Sequence, residues 1–176
     1  MGIVYIENLY GVSVADVSTG DFLVTEIDDS KRLFDEICKF LPSEIVCNDS
    51  FHISDIDINE LKNRLHISIT TYDSSNFEEY DAFNRLKAHF GVNNLKALGI
   101  SDFPVGNIAA GGLLSYLYET QKSSLVQINK INPYICGNFM LLDSSTRRNL
   151  ELCETLREKE KRGSLLWVLD KTKTAM

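Results

Sequence analysis

The order of segments in this sequence predicts an α/β domain, a mixed sheet with flanking helices, followed by a short α-helical stretch. Three observations carry the prediction. Short β-branched runs alternate with amphipathic helical stripes over the first 120 or so residues. Two of those runs are joined by a turn signal, as in a hairpin. After Lys122 the texture changes to an irregular connection and then to helices with narrow apolar stripes.

Tyr10–Val17 reads as a strand. One face carries Val12, Val14 and Asp16; the other carries Gly11, Ser13, Ala15 and Val17, small residues that suit a closely packed helix. Ser18-Thr19-Gly20 is a turn signal and Asp21–Ile27 the returning strand. Ser30 is positioned to cap a helix from Lys31 to Leu41, with Leu33, Phe34, Ile37, Cys38 and Leu41 on one stripe and Pro42 as its stop. Glu44–Cys47 reads as a strand. Ile53–Ile58 alternates Asp and Ile and stays ambiguous; Glu60–Leu65 suits one or two helical turns, and His66–Tyr72 a further strand.

Ser75 with Glu78 fits a capping box for a helix over Phe77–Phe90, closed by Gly91. Its expected buried stripe is Phe77, Tyr80, Phe83, Leu86 and Phe90, which leaves Asn84 and Arg85 facing outward. Residues 92–106 read as loop, and Asn107–Gln121 as a long helix. Gly111-Gly112 inside that helix costs about 1 kcal/mol per glycine relative to alanine, so a close approach by a neighbouring backbone is expected there. Asp143 or Ser144 caps a helix running to Glu158, with Leu150, Cys153 and Leu156 on its stripe. Ser164–Leu169 forms a second, shorter helix.

The bulk properties exclude several classes. A formal net charge of -7 argues against a general nucleic-acid coat, which needs clustered Lys and Arg, though it leaves room for a local basic patch. The four cysteines form no C-x-x-C pair and have no histidine at ligand spacing, so buried reduced thiols of a cytoplasmic protein are the simpler reading. No apolar run approaches the roughly 20 residues of a membrane span, and no signal peptide opens the chain. Both ends read as cut points within a longer protein, since no tail composition or helix stop marks them.

Motifs for chemistry are few. There is no G-x-x-x-x-G-K-S/T phosphate loop and no G-x-S-x-G; Gly112-Leu113-Leu114-Ser115 lies inside a helix. His52, His66 and His89 fall on unrelated segments. Asp16 is the one carboxylate that invites a catalytic reading. It stands on what reads as the first strand of a strand, strand, helix, strand order, which suits a ribonuclease-H-like sheet, where such a residue helps hold two Mg²⁺ ions. Asp21, Glu26 and Asp57 are the carboxylates considered as its partners, and none is at a defensible position. The alternative role for Asp16 is a turn carboxylate that accepts local backbone N–H groups. Arg147 and Arg148 read as the start of a helix. They are either surface residues paired with Glu151 or Asp143, or a contact to another domain or to nucleic-acid phosphate.

Three blocks together resemble the MutS family of DNA mismatch-repair proteins. GVSVADVSTGDFLVTEI (Gly11–Ile27) looks like the opening hairpin of that family's connector domain. IAAGGLLSYLYETQKSSLVQI (Ile108–Ile128) is similar to the helix leading out of it. MLLDSSTRRNLELCETLR and SLLWVLDKTKTAM, within Met140–Met176, look like the start of the core, or lever, domain. The Thr-Arg-Arg-Asn string is the most specific part, and residues 48–105 carry the least resemblance.

The resemblance implies a connector domain over 1–122, ribonuclease-H-like and non-catalytic, then a linker over 123–139 and the truncated start of the helical core over 140–176. It implies no catalytic, cofactor or metal residue in this chain. ATP, Mg²⁺ and the phosphate loop, like the mismatch-reading domain, belong to other parts of a cytoplasmic, homodimeric parent protein that acts on mismatched DNA. It further implies transmission of conformational signals between those parts and docking of the partner MutL. Asn84 and Arg85 are the candidates for the docking surface, and Arg147 and Arg148 for an interdomain or DNA-facing role. The competing expectation is a divergent metal-dependent nuclease that uses Asp16.

Overall fold

The first strand of the fold precedes the hairpin that the sequence points to. In a computed structural model, which describes residues 1–121, 125–136 and 142–172, Gly2–Ile6 forms strand β1. It turns at Glu7 (φ 47°) and Asn8 (φ 66°) into β2, Leu9–Asp16. A two-residue turn with both φ positive matches the twist of paired strands, but Glu7 is not a residue that signals one. The expected hairpin is present as β2 and β3, Asp21–Ile27, closed by an Asp16–Asp21 pair. The chain continues through helix α1 (Ser30–Phe40), β4 (Glu44–Cys47), a 3-10 turn at Asp49–Ile53, α2 (Ile58–Asn63) and β5 (Ser68–Thr71). Another 3-10 turn, Ser74–Phe77, leads to α3 (Glu79–Phe90); a third, Leu95–Leu98, precedes α4 (Pro104–Gln121) and the two-residue β6 (Asn132–Pro133).

The strands form one sheet in the order β5-β4-β1-β2-β3-β6. β1, β2 and β3 pair antiparallel, while β4 joins β1, β5 joins β4 and β6 joins β3 in parallel. This mixed sheet with flanking helices fits the ribonuclease-H-like fold expected from the sequence. Period-two alternation sends Ile3, Tyr10, Val12, Ile27 and Ile45 to one face, where they pack with Leu33 and Ile37 of α1 and Leu61 of α2. Val4, Phe22, Val24 and Val46 lie on the other face, against α4 and Leu86 of α3.

Helix α4 is the centre of that second face. Residues Gly106–Leu114 are all buried, as befits a helix covered by the sheet on one side and α3 on the other. Glycines make the approach possible. A Cβ on Gly11 would lie 2.1 Å from the Val105 carbonyl oxygen, and one on Gly2 would lie 2.9 Å from that of Ala109. The small-residue face of β2 is thus the one α4 covers. On the far side a Cβ on Gly111 would meet Ala82 of α3 at 2.5 Å, and one on Gly112 would meet the Phe77 ring at 2.2 Å. The backbone approach expected at this pair occurs at Gly111; at Gly112 the close neighbour is an aromatic ring.

Several local expectations change in tertiary context. Asp29, not Ser30, caps α1 by accepting from the Arg32 N–H, and Leu41 closes it in the left-handed region. The Ser75–Glu78 capping box does not form: Asp73 caps the 3-10 turn, and α3 starts at Glu79. Pro104 opens α4, three residues earlier than the spacing suggests, because its missing N–H costs nothing in a first turn. The next two N–H groups, of Val105 and Gly106, donate to Glu26 Oε1 on β3 at 2.6 and 2.9 Å. A carboxylate there satisfies otherwise orphaned donors and complements the helix dipole.

By contact the chain divides into two units, Met1–Cys136 and Gly137–Met176. Residues 125–136, read from sequence as part of a connection over 123–139, belong to the first; 123–124, 137–139, 140–141 and 173–176 lie outside the described residues. In the second unit Asp143 caps α5, Ser144–Asn149, by accepting from the Thr146 N–H at 2.6 Å. This helix stops nine residues short of Glu158. Leu150, Cys153 and Leu156 are therefore exposed rather than one helical stripe. The short helix expected over Ser164–Leu169 is α6, Leu165–Leu169, with Ser164 as its cap, and all five of its residues are exposed.

Gly11→Ala is expected to destabilise the protein by about 2 kcal/mol or more, since a backbone carbonyl blocks the new methyl. Gly91→Ala has open space around it and pays only for its φ of 64°, roughly 1 kcal/mol. Urea unfolding midpoints compared at equal m-value check the order.

Candidate partner-binding surface

Helix α3 presents a different face from the one its periodicity suggests. Ala82 and Leu86, four residues apart, are its fully buried positions, because Gly111 of α4 admits Ala82. That rotation places Tyr80, assigned by its spacing to the buried stripe, on the outside with 77% of its surface exposed. Phe77 is buried but belongs to the preceding 3-10 turn. Tyr80, Asn84, Lys87 and Ala88 follow one another at three- and four-residue spacing and so share a side of the helix. Tyr80 and Ala88 are exposed; Asn84 and Lys87 are half-buried. Glu78, Glu79 and Asp81, all exposed, make the start of the helix acidic.

Arg85 is not outward. Its guanidinium turns back over the α3–α4 seam, donating to the Gly111 carbonyl at 2.9 Å and the Asn76 carbonyl at 3.1 Å. Nearby, the Ser115 hydroxyl donates to Asn76 Oδ1 at 2.8 Å, which gives the serine of the Gly112–Ser115 run a packing role. His89 closes α3 with both ring nitrogens engaged, Nε2 on the Ile128 carbonyl at 2.7 Å and Nδ1 with the Tyr118 hydroxyl at 2.5 Å. Nε2 must donate to a carbonyl, so in the neutral ring Nδ1 accepts from Tyr118. Of the two residues proposed for docking from the sequence, Asn84 shares the outer row and Arg85 donates across the seam. The outward position of Tyr80 runs against the periodicity. The signal for it was the i, i+4 pairing of Ala82 with Leu86, read together with the small residues of α4.

Asp16 lies at the end of the second strand, not on the first. β1 reads Gly2-Ile3-Val4-Tyr5-Ile6 and carries no carboxylate. Asp16 Oδ1 accepts from the Ser18 N–H at 2.8 Å, the Ser18 hydroxyl at 2.6 Å and the Thr19 N–H at 3.3 Å. Those bonds, the Ser18 hydroxyl foremost, hold its carboxyl below the ordinary value of 3.8. It borders a groove of about 440 Å³ walled by Val14, Phe40, Leu113 and Tyr116. The other carboxylate on that groove, Glu44, is bound by the Thr70 and Tyr116 hydroxyls at 2.6 and 2.8 Å. Asp21 accepts from Thr19, and Glu26 caps α4. Among the described residues no group of three His, Cys, Asp or Glu side chains is placed to hold a metal ion. The arrangement at Asp16 is that of a turn carboxylate.

His52 and His66 are exposed, the former with Nε2 2.6 Å from the Thr71 hydroxyl. Burial raises the Cys47 thiol to about 11, which leaves it protonated and unreactive. Arg147 and Arg148 stand in the last turn of α5 rather than its first, where positive charge suits the helix dipole. Among the described residues no carboxylate, Glu151 and Asp143 included, lies within ion-pair distance of either. No helix among the described residues is long and apolar enough to cross a membrane.

Comparison with known proteins gives a consistent family. The family described as MutS domain II matches residues 3–130. A DNA mismatch repair protein MutS from Lachnoclostridium phytofermentans is 51% identical over 176 residues, all of this chain and 19% of that protein. Proteins of the same name from Ruminiclostridium cellulolyticum and Alkaliphilus oremlandii are 43% and 44% identical, over 96% and 98% of this chain and 19% and 21% of their own lengths. The chain thus spans about a fifth of the length of the curated relatives it matches.

Arg85→Ala is expected to cost about 1–3 kcal/mol through its lost charge-assisted bonds, against about 0.5 kcal/mol or less for Tyr80→Ala and Asn84→Ala. Chemical denaturation of the three variants separates the packing residue from the surface ones. Asp16 has a depressed folded-state value. Its stabilisation is therefore present above the ordinary aspartate range and lost as pH falls through the folded value. Asp16→Asn should accordingly reduce the loss of stability between about pH 6 and about pH 2, read from unfolding midpoints at each pH.

Proposed function

Because the chain belongs to the MutS family of DNA mismatch repair proteins, we propose that it is the connector of such a protein with the start of its helical core. In this reading it joins the mismatch-reading part to the core, carries conformational signals between DNA and nucleotide sites elsewhere in the protein, and offers MutL a docking surface. It neither hydrolyses ATP nor reads mismatches itself. ATP and Mg²⁺ are bound by the parent, a cytoplasmic homodimer. Arg147 and Arg148, free of ion pairs among the described residues, are available to another domain or to DNA phosphate.

The observation that carries the docking reading is the outer row of α3. Tyr80 is a large aromatic left open on an otherwise well-packed helix, with Asn84 beside it and acidic residues around it. Exposed aromatics with a polar rim are typical anchors of protein interfaces. The core-domain reading is supported by α6, whose Leu165, Leu166, Trp167, Val168 and Leu169 are 41–67% exposed and need further chain to cover them.

In the full-length protein, Tyr80→Ala combined with Asn84→Ala is expected to weaken MutL binding at least about tenfold while leaving ATP hydrolysis and thermal stability unchanged. Surface-plasmon resonance against immobilised MutL measures it, and unaltered affinity overturns the assignment of this face.

A further inference from the structure

The segment that ends the first unit, residues 125–136, is attached to it in two unlike ways. Its first half is sunk into the core. Leu125, Ile128 and Ile131 are 1%, 2% and 5% exposed and pack in the cluster that contains Phe22, Leu86 and Leu114. His89 binds the Ile128 carbonyl from α3, and Gly20 lies so close to Gln127 that a Cβ there would fall 2.2 Å from its carbonyl oxygen. The second half rests on a sheet edge. Its strand, β6, is two residues long, both exposed and one a proline, and Ile135 is 60% exposed. Main-chain attachment there consists of the short parallel pairing of Asn132 and Pro133 with Leu23 and Val24, and of the Tyr134 N–H donating to the Val24 carbonyl at 3.0 Å.

Beside this pairing and the packing of Cys136 against the core, a side-chain cluster on α1 holds the second half. The Tyr134 hydroxyl donates to Glu36 Oε2 at 3.2 Å, and the same oxygen is 3.0 Å from the Lys39 ammonium. Lys39 lies 5.1 Å from the centre of the Tyr134 ring and 4.8 Å from that of Phe40, cation–π distances for both, and the two rings meet edge-on at 6.2 Å. Burial, reinforced by Glu36, raises the Tyr134 hydroxyl well above the normal tyrosine range, so it remains a donor. Beyond it the Cys136 sulfur lies 3.7 Å from the Thr25 hydroxyl.

We propose that residues 132–136 are a releasable latch, closed on α1 by Tyr134, Glu36 and Lys39, hinged at the buried Ile131. Release strips the exposed Asn132 and Pro133, which pair with Leu23 and Val24, and one clustered tyrosine from the edge of β3. It leaves the Leu125–Ile131 anchor, and so the core, intact. A short edge strand with few buried contacts belongs to the low-stability end of a fold and opens independently of it. The chain after Cys136 is reached only through this latch, so its state governs whether a pull on that chain is felt by α1 or absorbed by the hinge. The use of the latch in signalling rests on the connector reading above; its existence does not.

Hydrogen exchange followed by mass spectrometry on the full-length protein tests it. The amides of 132 and 134–136 should exchange at least about tenfold faster than those of 125–131. Tyr134→Phe and Glu36→Gln should speed the first set several-fold without changing the second, and both keep the fold's apolar contacts. Exchange of the two halves at one common rate, or variants that leave 132–136 unchanged, overturns the latch. The same experiment with ATP, with ADP and without nucleotide addresses the connector reading separately. Exchange at 132–136 that ignores nucleotide overturns signal transmission through this segment while the latch stands.

Discussion

Everything in the first unit is arranged around the close seating of α4 between the sheet and α3. A helix can lie this near a sheet only where side chains are absent on both surfaces. Here Gly2 and Gly11 clear the strands while Gly106 and Ala109 clear the helix, and on its other side Gly111 does the same towards α3. Short separation gives many dispersion contacts, each small and together large, and it makes the arrangement intolerant of added volume. Glycines inside a helix are unfavourable on their own; the packing they permit offsets that cost. The helix is then fixed along its axis by Glu26, which caps its start from β3 in place of any side chain adjacent in sequence.

The consequences run outward from that seat. Because Gly111 admits Ala82, α3 is rotated so that Tyr80 leaves the core and Arg85 crosses the seam to bond the Gly111 carbonyl. Because α3 and α4 are joined there, His89 meets Tyr118 through Nδ1 and holds the Ile128 carbonyl through Nε2, anchoring the start of the exit segment. The outward row of α3 and the segment that ends the first unit are both set by one helix position.

The legible part of the fold was the part specified by neighbours in sequence. The hairpin of β2 and β3, α1, β4 and the cap at Asp143 depend on periodicity and on short-range turn and cap chemistry. β1 was illegible because its turn uses Glu7 and Asn8 with positive φ, and Glu7 gives no such signal. Missing β1 made β2 look like a first strand and lent Asp16 a catalytic appearance that its bonds to Ser18 and Thr19 do not support. The early end of α5 follows the same logic: an apolar stripe suggests a helix, but only a packed partner makes the stripe worth continuing.

By itself the sequence determined the class of fold, the alternating faces of the central strands, the need for a close neighbour at Gly111 and, through three quoted blocks, the family. These follow from local periodicity, steric permissiveness and motif identity, which require no knowledge of what lies across the core. Only the tertiary structure decided which side of α3 faces out, that Arg85 donates to a backbone carbonyl across the α3–α4 seam, that Glu26 caps a helix 79 residues away, and that Tyr134 donates to Glu36 of α1. Each of these is a contact between segments far apart in the chain, and its outcome depends on helix rotation and sheet register, quantities that a linear pattern leaves open by half a turn.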